Sequence, residues 1–300
     1  MNGNTDEEML KSTMSRYMTP ELAEELLNLE EPKLGGECKE VSILLSDIRG
    51  YTTIVENLED EEVVALLNDY FESMVEAIFQ YQGTVDKYIN DSIQAVFGSP
   101  FLLENHAWCA VQTAIEMCQR LAEFNASRLT QNQIPIRIGI GINSDRVFCG
   151  NIGSSKRMEF TVIGTGVNLA VALTDASRYY GCDILISDTT YRSCADQIRV
   201  RELDRVRLNG INRPMTIYDV VGLRSEPISK EKQQLIEHYH KGREYYLNRK
   251  FRRAMNVFGT ILEELDRNDK AASLYFKRCQ HFLQEPPPEE WDGIWTLPEK

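Results

Sequence analysis

SILLSDIRGYTTIVE, residues 42–56, and GTVDKYINDSIQAVFG, residues 83–98, decide the fold between them. In the first stretch an apolar run over residues 41–46 ends at Asp47 and meets a turn at Gly50, the pattern of a short strand closed by a turn signal. In the second, residues 84–88 and 93–97 are two further strand candidates. Ile89-Asn90-Asp91-Ser92 between them reads as a tight hairpin turn with an acid at its tip.

The segment joining the two stretches reads as a helix over residues 61–81, opened by Asp60, with Val63, Leu67, Tyr70, Met74 and Ile78 at helical spacing. A second long helix follows the hairpin. There Ala107, Ala110, Val111, Ala114, Ile115, Cys118 and Leu121 form a stripe that buries one face. Residues 136–143 and 147–152 then read as a strand pair, Gly164 onward as a helix, and residues 184–187, 198–208 and 216–221 as further strands. Strand, helix, strand, strand, helix, strand is the order of a ferredoxin-like split βαβ, so the expected class is α+β with a βαββαβ core.

That topology makes the first strand and the hairpin sheet neighbours, which lets Asp47 and Asp91 converge. Each acid alone has a plainer reading, Asp47 as a cap for the turn at Gly50 and Asp91 as an ordinary turn residue. Together they describe a site for two hard divalent cations, which can acidify an attacking hydroxyl and neutralise phosphate charge in an in-line displacement.

On either side of this core the composition changes. Residues 1–36 read as a charged lead-in with one helix, capped by Thr19 with Pro20 at its first position. Its stripe of Leu22, Leu26 and Leu29 suits either a core or a dimer seam. Beyond Pro227 the chain is helical and charged as far as residue 283, and Gly242, Tyr245, Ala254 and Phe258 match parts of a tetratricopeptide pattern. Residues 229–300 are therefore expected to be a tetratricopeptide-like extension that offers a surface to a protein partner, with a helical hairpin packed on the preceding domain as the plain alternative. Pro286, Pro287 and Pro288 followed by Trp291 and Trp295 read as an extended tail anchored by its aromatics.

The 300 residues carry a formal charge of -13, which repels a phosphate backbone and disfavours nucleic acid as a partner. The 7 cysteines are scattered without a C-x-x-C pair and read as reduced thiols. His238 and His240 stand two apart on a helix, point to nearly opposite faces and read as solvated rather than metal-binding. No apolar run approaches the roughly 18 residues of a membrane span, and MNGNTDEEML lacks the apolar centre of a signal peptide. The expected location is the cytoplasm, as a free chain or as the cytosolic part of a larger membrane-bound or sensor protein.

The two opening stretches resemble the metal motifs of class III nucleotide cyclases. IRIGIGINSDRVFCGNIGS and RMEFTVIGTGVNLA continue the resemblance in order, so that it covers residues 37–224 as a catalytic domain. It implies an adenylate cyclase that turns ATP into 3′,5′-cyclic AMP and pyrophosphate with two Mg²⁺ or Mn²⁺ ions. It also implies a dimer, with itself or with another cyclase chain, whose sites are shared between subunits. Asp47, Asp91 and the Ile48 carbonyl match the metal ligands, and the N–H groups of Gly50, Tyr51 and Thr52 match the phosphate cradle. Lys87 and Thr161 occupy the purine-reading pair in its adenine form; Asn168 matches the ribose-orienting asparagine and Arg146 a triphosphate-binding arginine.

The resemblance breaks at three places. Ala172 stands where the family has a transition-state arginine one helical turn after the asparagine, Ile211 where a triphosphate-binding lysine is usual, and Asn90 where a glycine adjoins the second acid. The chain is therefore expected to work slowly alone or to lend its metal half to a partner that carries the missing arginine; the alternative is a degenerate homologue with a regulatory role.

Overall fold

The structure, a computed structural model, describes residues 34–297 apart from 155, 209 and 212. The expected helix capped by Thr19, with its stripe of Leu22, Leu26 and Leu29, lies outside the described residues. The described chain divides into two compact units, one formed by residues up to Ile138 together with Ile142–Ala170, the other by Gly139–Gly141 and the residues from Val171 onward.

In the first unit β1 (Gly35–Ile48) leads through a short helix, α1 (Tyr51–Val55), into α2 (Asp60–Gln80). The hairpin β2 (Thr84–Ile89) and β3 (Ser92–Phe97) follows, then α3 (His106–Thr130), β4 (Ile138–Ser154) and β5 (Arg157–Ile163). The strand order is β2-β3-β1-β4, with β5 paired to β4. With α2 and α3 as the two crossovers, this is the split βαβ arrangement expected from the sequence.

Strand β1 is buried from Val41 to Ser46, which explains why it reads as a near-continuous apolar run rather than an alternating one. Val41 and Ile43 join a cluster with Val96, Val147, Cys149, Val162 and Ala170. Residues of the other parity look toward the helices: Ser46 Oγ lies 3.5 Å from the Tyr70 hydroxyl of α2, and Ser42 Oγ lies 2.8 Å from His106 Nδ1 of α3. Helix α2 opens with a capping box between Glu59 and Glu62 and buries Val63, Leu66, Tyr70, Met74, Ala77 and Ile78. Leu66 rather than Leu67 takes the inner position.

Residues 136–143 and 147–152 do not pair with each other. From Ile138 onward they belong to one unbroken strand, β4, whose antiparallel partner is β5, with Phe148 opposite Ile163 and Ser154 opposite Arg157. Asn143-Ser144-Asp145 looks like a turn because it is polar. Its polarity is instead satisfied internally: Asn143 Nδ2 donates to the Gly166 carbonyl at 3.0 Å, and Ser144 Oγ meets Ser42 Oγ at 2.6 Å, both buried.

Helix α4 (Thr165–Tyr180) follows β5, and its residues from Val171 belong to the second unit. There β6 (Ile184–Ser187) leads through α5 (Asp188–Cys194) to β7 (Ile198–Arg207) and β8 (Met215–Leu223), with β8 antiparallel to both other strands. Helices α6 (Lys230–Leu247), α7 (Phe251–Thr260) and α8 (Lys270–Gln284) follow, with one π turn at Ile261–Leu265. The tail returns as β9 (Trp295–Thr296), parallel to β7.

These helices pack on β7 of their own unit through buried polar groups. Arg201 pairs with Asp219 at 3.0 Å and with Asp269, the N-cap of α8. Arg278 pairs with Asp204 at 2.6 Å, where the Tyr180 and Tyr275 hydroxyls also donate. His240 is exposed, as expected, and its Nε2 accepts the Glu202 N–H at 3.1 Å. The repeat-like residues make a helix-pair contact, because a Cβ on Gly242 would lie 2.8 Å from the Phe258 ring.

Candidate active site

The sequence places Asp47 at the end of β1 and Asp91 at the tip of the β2–β3 hairpin; the fold brings these two points together. Asp91 Oδ2 accepts the backbone N–H of Ile48 at 2.9 Å, so its carboxylate is fixed one residue from Asp47. Asn90 permits this turn with φ 55, a left-handed conformation that asparagine tolerates. The fields of both acids reach the buried phenol of Tyr70: burial is the main reason its pKa is raised, and Asp47 and Asp91 push in the same direction against the Ser46 hydrogen bond.

Beside the acids the chain turns sharply. Gly50, φ 71, is the N-cap of α1 and contributes the left-handed step that lets Tyr51 and Thr52 begin a helix at once. The first N–H groups of a helix have no partner within it and carry its positive end. The Tyr51 phenol is held above its ordinary range by partial burial and then by the Asp91 charge.

Two carboxylates and a main-chain carbonyl are hard oxygen donors suited to Mg²⁺ or Mn²⁺. The arrangement already draws a cation, since Arg49 Nη1 stands 3.2 Å from Asp47 Oδ1. Among the described residues no group of three or more His, Cys, Asp or Glu side chains could hold a metal ion. Any ions here would depend on the two acids, the backbone and the substrate.

Lys87 and Thr161 come together on β2 and β5. Thr161 Oγ1 donates to Asp86 Oδ2 at 3.0 Å, Lys87 Nζ lies 3.9 Å from that oxygen, and Lys87 Nζ also meets Glu159 Oε1 at 2.7 Å. A bulge makes this possible. The β2–β3 register slips between Val85 and Lys87, so Asp86 is the extra residue and neighbouring side chains turn toward the same neighbours. The sequence reading misses Asp86, Gln94 and Glu159; the adjacency of an acid to Lys87 is the one signal that could have pointed to them.

The remaining candidates are less tied together. Arg146 is exposed on β4, and Asn168 is exposed on α4. Ala172 is half-buried on the same helix and one turn further along. Ile211 lies in the connection from β7 to β8, where its N–H donates to the Leu208 carbonyl at 3.0 Å.

Fold and sequence agree on a class. The family described as "Adenylate and Guanylate cyclase catalytic domain" matches residues 36–222, and the chain belongs to it. Among its relatives, an adenylate cyclase of Anabaena cylindrica is 38% identical over 189 residues, which are 61% of this chain and 37% of that protein. Adenylate cyclase 1 of Rhizobium meliloti is 30% identical over 214 residues, 70% of this chain and 32% of that one. The chain thus spans about a third of the length of these curated relatives. Among solved structures, the adenylyl cyclase CyaB from P. aeruginosa aligns with TM-score 0.60 and 34% identity, over 65% of this chain and 100% of that one. The guanylyl cyclase Cya2 aligns with TM-score 0.59 and 36% identity, over 63% of this chain and 95% of that one.

Proposed function

We propose that this chain is an adenylate cyclase that forms 3′,5′-cyclic AMP and pyrophosphate from ATP at sites shared by two chains. One observation carries the reading: the Asp91 carboxylate is held on the Ile48 N–H, beside Asp47. Two Mg²⁺ or Mn²⁺ ions held by Asp47, Asp91 and the Ile48 carbonyl would supply Lewis acidity to the ribose hydroxyl and the phosphates.

The bond that forms joins ribose O3′ to the α-phosphorus; the bond from the α-phosphorus to the oxygen bridging to the β-phosphate breaks and pyrophosphate leaves, while the O3′ proton passes to water or to a phosphate oxygen. No covalent enzyme intermediate is needed, so the protein acts by positioning and charge. The N–H groups of Gly50, Tyr51 and Thr52 donate to phosphate oxygens, as helix starts do. Arg146 neutralises the triphosphate and Asn168 orients the ribose. Lys87 donates to adenine N1, and Thr161 accepts from the 6-amino group. A guanylyl and an adenylyl cyclase structure align about equally well, so the solved structures do not choose the purine; Lys87 and Thr161, and the two adenylate cyclases among the relatives, support ATP.

A second reading is favoured by Ala172 and Ile211. Removing one pre-organised donor costs roughly 10²–10³ in rate, so a homodimer lacking two would be slow or silent, and the chain would serve as the metal-binding half of a mixed dimer or as a regulator. A protein partner on the C-terminal helices would fit the regulator.

The test is a cyclase assay with ATP and GTP in Mg²⁺ and Mn²⁺ on the full chain beside Asp47→Ala and Ala172→Arg. Slow metal-dependent cyclic AMP formation, lost in Asp47→Ala and raised at least tenfold in Ala172→Arg, is expected. Metal-dependent ATP binding with no product, even in Ala172→Arg, would establish the regulator, and a preference for GTP would overturn the purine assignment.

A further inference from the structure

Asp86 has no part in the chemistry above, yet Lys87 and Thr161 have it in common. Its side chain is 4% exposed. Its Oδ2 accepts from Thr161 Oγ1 at 3.0 Å and from Gln94 Nε2 at 2.5 Å, while Lys87 Nζ stands 3.9 Å away. Gln94 is itself 5% exposed on β3, so the carboxylate is pinned from the strand beneath it. The β2 bulge puts Asp86 here; without it, alternation would send residues 86 and 87 to opposite faces of the strand.

An ionised carboxylate has no proton to give, so the direction of the Thr161 hydrogen bond is fixed: the hydroxyl proton points at Asp86. A hydroxyl has only one. Whatever else Thr161 meets therefore meets its lone pairs, which attract an amino group and repel a carbonyl oxygen. Lys87 cannot make this distinction, because an ammonium donates as readily to guanine O6 as to adenine N1.

We propose that Asp86 is a positioning residue that sets purine specificity: by taking the Thr161 proton it makes Thr161 an obligate acceptor, so the site admits a 6-amino purine and rejects a 6-oxo purine. This rests on the assignment of Lys87 and Thr161 to the purine. With Asp86 removed, the hydroxyl turns freely and donates to O6, and guanine ceases to be excluded.

The experiment measures the affinities of non-cyclisable ATP and GTP analogues for the full chain in Mg²⁺, by calorimetry or by competition with a fluorescent nucleotide. In Asp86→Ala the ATP-to-GTP affinity ratio falls roughly tenfold, the effect of one hydrogen bond replaced by its opposite. Asp86→Asn keeps the ratio within about twofold, because its carbonyl oxygen still accepts from Thr161 and Gln94. In a Thr161→Val background, Asp86→Ala leaves the ratio unchanged, which a general loosening of the sheet would not do.

Thermal melts monitor folding, and Asp86→Leu, which keeps the branched shape without an acceptor, carries the same expectation should Asp86→Ala not fold. A ratio that survives Asp86→Ala while Thr161→Val changes it would overturn the role of Asp86 and leave the purine pair standing. A ratio lost equally in Asp86→Asn would transfer the effect to charge and also overturn it. Failure of the underlying reading looks different: the unmodified chain would prefer GTP, or Lys87→Ala and Thr161→Val would both leave the ratio untouched.

Discussion

Asp86 is ionised against its surroundings. Burial lifts its carboxyl from 3.8 to about 6, with Lys87 and the Thr161 hydrogen bond pulling the other way, Glu159 adding to the rise and Gln94 opposing it. A carboxyl whose pKa is higher in the folded than in the unfolded chain holds its proton more tightly when folded. Its contribution to stability is therefore complete below pH 3.8 and is lost as the pH rises through about 6. The loss is on the order of 2–3 kcal/mol. Asp86→Asn removes it: in urea unfolding the variant should match the wild type near pH 4 and be more stable by about 2 kcal/mol at pH 8. Parallel curves between those pH values would show that burial does not dominate there. Asp47 and Asp91 could be found in the sequence because a strand end and a hairpin tip are local features, whereas the placing of Asp86 depends on a one-residue slip against β3 that no local pattern announces.

At the scale of elements, the expected strands and helices that were apolar and periodic are present, and those that differ do so for tertiary reasons. β4 runs through a polar triplet because Ser42 and Gly166 satisfy it, and β5 carries the period-two pattern of a strand, Met158, Phe160 and Val162 alternating with Arg157, Glu159 and Thr161, in a run that the sequence reading left without an element. The helix pair α6–α7 rests on Gly242. Exposed in a helix, a glycine changed to alanine gains about 1 kcal/mol in propensity. Here the added Cβ would stand 2.8 Å from the Phe258 ring, which is wholly buried and stacked on Tyr275 at 5.0 Å. Gly242→Ala should therefore destabilise by about 1–3 kcal/mol, and a rise in melting temperature would refute the close packing. The contact of α8 with β7 depends on Asp204, 1% exposed, and Arg278, 4% exposed. Asp204→Ala leaves a buried guanidinium without its carboxylate and should cost about 3–5 kcal/mol, while Asp204→Leu combined with Arg278→Met should recover the part owed to the charge but not the part owed to the Tyr180 and Tyr275 hydroxyls, which lose their acceptor. Equal losses in the single and double variants would mean that packing rather than charge holds the contact.

For the molecule as a whole, the proposed chemistry divides the site residues into two sets that need not act in the same chain. In that reading Asp47 and Asp91 would hold the metals for one nucleotide, while Lys87 and Thr161 would read the purine of the other when two chains share two equivalent sites. A symmetric dimer built this way has a testable property. In a mixed dimer of Asp47→Ala and Lys87→Ala chains, one site inherits both defects and the other inherits neither. Each variant alone should bind the metal–ATP complex at least about tenfold more weakly, yet an equimolar mixture, dissociated and reassociated, should regain about a quarter of the wild-type number of tight sites, since half the dimers are mixed and each has one sound site of two. Calorimetric stoichiometry reads this directly and does not require turnover, so Ala172 cannot obscure it. Mixing that restores nothing would mean that acids and purine readers serve the same nucleotide within one chain, and the shared-site reading would fall even if the metal pair and the purine pair were each correctly assigned.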